Sequence, residues 1–196
     1  FRPFSGGGKC VFSGLVQIVY GLVLLVVIGL TGGSIFTSNW RLVALDADLG
    51  NSILNTGFFS CNTTGTEDDF CKEWWNHLHG FEKVVFGCLI AAFVFEFIAL
   101  AWNAFSFWAC CFKKYVIHPL WGLCLLISIF LGIAVIVYGS KNKAIVDDLT
   151  VDLLMGESPK SISLGFSYFM ACGALALSLI NTAVAALAIC FADAHL

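Results

Sequence analysis

The sequence predicts an α-helical membrane protein: four transmembrane helices with a small β-sheet outside the bilayer. Three observations predict it. Of the 196 residues, 59% are hydrophobic and 12% are charged, about half the roughly 25% charge of a soluble domain. Four apolar runs match the roughly 20 residues that a helix needs to cross a hydrocarbon core of about 30 Å. The longest polar segment alternates apolar and polar residues in short runs and holds two cysteines, Cys61 and Cys71.

The runs are Val11 to Phe36, Val84 to Phe107, Leu120 to Tyr138 and Ile162 to Phe191. Length makes a single domain over residues 1–196 the default. The first and last runs exceed the minimum, so they tilt or project beyond the lipid. The first is also longer than the apolar part of a signal peptide, so a cleaved leader is not expected.

Four spans put both termini on one side, with loops 37–83 and 141–161 on the other and segment 108–119 beside the termini. The short "WACCFKKYVIHP" carries Lys113 and Lys114 with no acid, whereas the long loop is acid-rich up to Glu73. Short loops near span ends weigh most in the positive-inside rule, which favours cytoplasmic termini. The stretch "GFFSCNTTGTEDDFC" decides the orientation. A Cys61–Cys71 disulfide persists only in an oxidising compartment, and the sequon at Asn62 is usable only in the secretory lumen. The long loop is therefore expected outside the cell, and the chain at the plasma membrane.

Within that loop, "NWRLVALDA" and "NSILNTGFF" read as strands separated by the turn cluster "DLGN". A further strand on each side of "NTTGTEDD" would make a hairpin closed by Cys61 and Cys71. Closing so short a loop is worth roughly 3 kcal/mol on the chain-entropy model, useful to a sheet this small. The following "KEWWNHLHGFEKVV" suits a helical lead-in to the second span, with tryptophans at the membrane interface. His77 and His79 lack a third ligand, so no metal is assigned, and no other cofactor is expected.

Glu96 is the acid deepest in a span. A charge at the bilayer centre costs about 2.5–3.5 kcal/mol on insertion scales, so something must compensate. It either takes up a proton or an ion, or bonds another helix as a neutral acid, with Gln17, Asn103 and Asn181 as partners by depth. Gly29, Gly32, Gly33 and Gly132 favour close helix approach, within the chain or between copies. Cys110 and Cys111, beside Lys113 and Lys114, are candidates for S-palmitoylation; the alternative is two free thiols. Cys88, Cys124, Cys172 and Cys190 lie within apolar runs and read as small packing residues. Glu67, Asp68 and Asp69 form either a solvated turn or a contact tip. In the second loop Val151, Leu153, Leu154 and Met155 extend the third span, pack on the sheet or offer a contact surface.

These residues resemble the claudin superfamily, which holds claudins, peripheral myelin protein with its epithelial relatives, and auxiliary subunits of calcium channels and AMPA receptors. Trp40-Arg41-Leu42-Val43 resembles the claudin start of the first extracellular segment. Cys61 and Cys71 match the family's cysteine pair in type and spacing. Gly57-Phe58-Phe59 stands where claudins have Gly-Leu-Trp, and "LGFSYFMACGALAL" is similar to the start of the family's last helix. The resemblance implies a left-handed four-helix bundle topped by a small extracellular antiparallel sheet. It also implies a face of that sheet that meets neighbouring subunits or lines a paracellular path.

No catalytic constellation is visible: no Ser-His-Asp set, no paired intramembrane carboxylates and no phosphate-cradling glycine loop. Nor does a basic stripe suggest nucleic acid. The expected function is non-enzymatic cell–cell contact or paracellular barrier formation, at cell junctions, with membrane lipid and other copies in cis or trans as partners. Two alternatives stand beside it. One is an auxiliary subunit of a larger channel or receptor; the other is a small transporter or pore that uses Glu96.

Overall fold

The computed structural model describes residues 7–45, 52–56, 78–108, 113–152 and 161–194. Four long helices account for most of them: α1 (Gly7–Phe36), α2 (Gly80–Trp108), α3 (Lys113–Asp152) and α4 (Phe166–Ala194). Each holds a stretch long and apolar enough to cross a membrane: Gln17–Phe36, Gly80–Ser106, Pro119–Lys141 and Phe166–Ala186. Helix is what such runs must form, because lipid offers backbone N–H and C=O groups no partners and a helix satisfies them within one segment.

The helices pack as a ring in which each touches its sequence neighbours and α4 closes back onto α1. Facing residues give the registers. Gly32 lies under Phe93 and Gly21 under Asn103, so α1 and α2 run antiparallel. Gly33 meets Met170 and Gly173 meets Leu30, which makes α1 and α4 antiparallel as well. Phe95 of α2 stacks on Phe130 of α3 with ring centroids 5.7 Å apart.

The ring has a division of labour. From α1 and α3, large side chains such as Tyr20, Leu24, Ile127, Leu131 and Tyr138 fill the core. From α4 come mainly small ones, among them Ala171 and Ala174, while α2 mixes the small Ala92 and Ala99 with Val85 and Leu89, all fully buried. Small residues let helix backbones approach, which is how helices associate when lipid removes the hydrophobic drive between them. The outer faces are also apolar: Leu22, Val26, Val94, Phe97 and Ile136 are each about half exposed or more. A helix apolar on every side suits a membrane span.

Helix ends depart from the apolar runs. α3 has 40 residues, about 60 Å at 1.5 Å per residue. It begins at Lys113 and continues to Asp152, so the first part of the expected 141–161 loop is helical. Hydropathy marks where lipid would end, and a charged stretch without Gly or Pro can carry the helix onward. Conversely, the expected fourth span opens too early, because Ser161–Leu164 is a strand and the helix starts at Phe166, after Gly165. At the head of α2, His79 N–H donates to Glu82 Oε2 at 3.2 Å, and Glu82 N–H donates back to the His79 carbonyl at 2.9 Å. That reciprocal pairing caps the start of the helix.

Three short strands lie between the helices: β1 (Arg41–Leu45), β2 (Ser52–Thr56) and β3 (Ser161–Leu164), in the order β2-β1-β3. Both pairings are antiparallel, with Val43 opposite Leu54 on one side and Ile162 on the other. The expected strands flanking the acidic turn lie outside the described residues.

Candidate functional site: the root of the first loop

β1 joins α1 through four residues, Thr37 to Trp40. The last carbonyls of a helix have no partner within it, and this connector supplies two. The Gly33 oxygen accepts from Thr37 N–H at 3.0 Å and from Thr37 Oγ1 at 2.6 Å. The Ser34 oxygen accepts from the indole Nε1–H of Trp40 at 2.6 Å. Trp40 therefore caps the helix that precedes it, and its ring is 1% exposed.

The indole is held from the far side of the bundle. Its ring meets Tyr138 of α3 edge-on at 4.8 Å between centroids and Tyr168 of α4 at 6.3 Å. Edge-to-face pairs at such distances add about 0.5–1.5 kcal/mol beyond area burial. Tyr168 in turn reaches the Val135 carbonyl at 3.4 Å, and Gly139 makes room for it, since a Cβ there would lie 2.6 Å from its hydroxyl.

The connector into α4 is laced to the connector out of α1. Gly165 N–H donates to the Trp40 carbonyl at 2.9 Å, and Ser167 N–H to the Asn39 carbonyl at 3.0 Å. Asn39 N–H donates to Ser167 Oγ at 3.2 Å. Because Thr37 Oγ1 already gives its proton to Gly33, the Ser167 hydroxyl is the donor in their 2.5 Å contact. A side chain at Gly165 would run into the Asn39 carbonyl and the Trp40 backbone, so that position takes only glycine.

A buried polar chain descends from this root. Ser34 Oγ donates to the Thr31 carbonyl at 2.8 Å, and Thr31 Oγ1 donates to Glu96 Oε1 at 2.8 Å. Thr31, Ser34 and Glu96 are all fully buried. Glu96 thus bonds a neighbouring helix, but its partner is Thr31 rather than Gln17, Asn103 or Asn181. Asn103 sits two turns along the same helix, where it donates to the Gln17 carbonyl at 3.4 Å. Glu96 Oε2 has no partner among the described residues.

Of the residues singled out in the sequence, the structure thus brings Trp40 and Glu96 to the two ends of one hydrogen-bonded chain. Arg41 opens β1, opposite Thr56 and Leu164. The glycines divide: Gly32 and Gly33 take Phe93 and Met170, Gly132 touches Leu175, and Gly29 faces open space. Val151 falls in the last turn of α3. Gly57, Phe58, Phe59, Cys61, Asn62, Glu67, Asp68, Asp69, Cys71, Cys110, Cys111, Leu153, Leu154 and Met155 lie outside the described residues. No group of three or more His, Cys, Asp or Glu that could hold a metal ion occurs among the described residues.

Sequence reasoning missed Thr31, Ser34, Tyr138, Tyr168 and Ser167. A threonine and a serine near the end of an apolar run were the available signal for the first two. No family model and no curated protein sequence matches the chain.

Proposed function

We propose that this chain is a non-enzymatic, claudin-like protein of the plasma membrane that acts in cell–cell contact or paracellular barrier formation. In this reading its termini are cytoplasmic, and the three-stranded sheet is the extracellular part that meets other copies in cis or trans. The observation that carries the reading is the seat of Trp40. A sheet that transmits contact between cells must be fixed to its membrane anchor, and Trp40 fixes β1 to α1, α3 and α4 at once. The first-loop resemblance, Trp40-Arg41 through Gly57 to the Cys61 and Cys71 pair, supports it from the sequence.

In the same reading Glu96 is a packing residue that links α1 to α2 through Thr31. Its bond is to a hydroxyl on the next helix, the usual partner for a polar group inside a helix bundle in lipid.

Affinity purification of the tagged full chain in mild detergent tests the proposal. Recovery of untagged copies of the same chain is the expected result. Recovery of one larger channel or receptor, without further copies, would make the chain an auxiliary subunit instead.

A further inference from the structure

Glu96 sits midway along α2, fully buried, and its two carboxyl oxygens have different surroundings. Oε1 accepts from the Thr31 hydroxyl of α1 at 2.8 Å. Oε2 is buried and has no hydrogen-bond partner among the described residues. An ionised carboxylate is acceptor-only, with room for about four donors on its two oxygens. Here the described residues offer it one.

No counter-charge makes up the shortfall. Within the four membrane-length stretches the cations are Lys83 and Lys141, both at the ends nearest the sheet. Lys83 precedes Glu96 on the same helix by about 20 Å, at 1.5 Å per residue. The titratable side chains of the facing helices are Tyr20 of α1, Cys124 and Tyr138 of α3, and Tyr168 and Cys172 of α4. None of them carries positive charge. The ring contacts at this depth are apolar: Phe93, one turn from Glu96, lies over Gly32, and Phe95 stacks on Phe130. A carboxyl group in such a setting is neutralised rather than left as an unpaired charge.

We propose that Glu96 is a proton-binding site of the bundle core, holding a proton on Oε2 at neutral pH and leaving Oε1 as the carbonyl oxygen that accepts from Thr31. The ligand is a proton, which needs no cavity. Thr31 decides which oxygen is which, because its hydroxyl donates to Oε1. An O–H left without an acceptor costs far less than a bare charge in the same place. The joint between α1 and α2 is then a neutral hydrogen bond. Drawing the proton off at high pH would leave a buried charge with a single donor, so the joint depends on the proton. This inference rests on the packing role proposed for Glu96 and gives that role its chemical form.

Infrared spectroscopy of the full chain in lipid nanodiscs at neutral pH tests it, because a protonated carboxyl has a carbonyl stretch that a carboxylate lacks. The expected result is that band in the unmodified chain and its loss in Glu96→Gln. Thr31→Val removes the donor to Oε1, so the band should remain and move to higher frequency. Thr31→Ser keeps the hydroxyl and should leave the band in place. Should Glu96→Gln fail to fold, the two Thr31 variants make the assignment by themselves. Absence of the band in the unmodified chain overturns the proposal. So does its persistence in Glu96→Gln, or an unmoved band in Thr31→Val. The band does not depend on which proteins co-purify with the chain, so a failure here is distinct from a failure of the contact role.

Discussion

Trp40 donates its indole N–H to the main-chain oxygen of Ser34, 2.6 Å away and six residues back. One hydrogen bond thereby ends α1 and fixes where β1 begins. Ser34 passes the connection on through Thr31 to Glu96, so the root of the sheet and the middle of α2 are parts of one buried polar chain.

Replacing Trp40 separates its two contributions. Trp40→Phe keeps a ring against Tyr138 but leaves the Ser34 oxygen buried and unpaired, at a cost of about 1–3 kcal/mol. Trp40→Ala removes the ring as well and should cost about 3–5 kcal/mol. Thermal unfolding in detergent is expected to rank the native chain above Trp40→Phe, and Trp40→Phe above Trp40→Ala.

Gly165 and Gly139 both sit beneath close neighbours, yet their alanine variants should differ. At Gly165 the added methyl meets main-chain atoms of Asn39 and Trp40, which cannot withdraw without breaking the connector. At Gly139 it meets the end of the Tyr168 side chain, which can turn away at the expense of its bond to Val135. Gly165→Ala should therefore lower surface expression strongly and Gly139→Ala only mildly, as cell-surface biotinylation would measure.

Glu96→Gln keeps an acceptor for Thr31 and removes any charge. If Glu96 serves packing, the variant should stay within about 1 kcal/mol of the native chain, the scale of a single interhelical hydrogen bond in a membrane. Cation flux into liposomes should be the same for both. A flux present in the native chain and abolished in Glu96→Gln would make the chain a pore.

What the sequence disclosed depended on how local each feature is. The four spans were legible because composition over some 20 residues sets them, and each has a membrane-length apolar stretch within one helix. Their ends were not. The run Ile162 to Leu164 is as apolar as the helix after it, and only its pairing with Arg41 to Val43, more than a hundred residues away, makes it a strand. Trp40 stood out by its position ahead of an alternating segment, whereas its seat is built by Tyr138 and Tyr168 from other helices. For Glu96 the need for an interhelical partner was readable, but which helix face supplies it was not. Depth along the spans suggested three amides, and the rotation of α1 brought Thr31 instead.

Orientation can be checked at Asn62. With the first loop outside the cell, the native chain should lose mass on glycosidase treatment, and Asn62→Gln should migrate at the trimmed position without treatment. Non-reducing electrophoresis of Cys61→Ser and Cys71→Ser variants should show the same mobility change in each, as the loss of one shared disulfide requires. A native chain whose migration glycosidase leaves unchanged would count against an extracellular first loop.

Imaging of the tagged full chain in cells that form no junctions of their own tests the proposed contact role most directly. Enrichment where two expressing cells touch, and none where an expressing cell meets a non-expressing one, is the predicted result. A diffuse surface distribution, with one larger channel or receptor co-purifying, would contradict it.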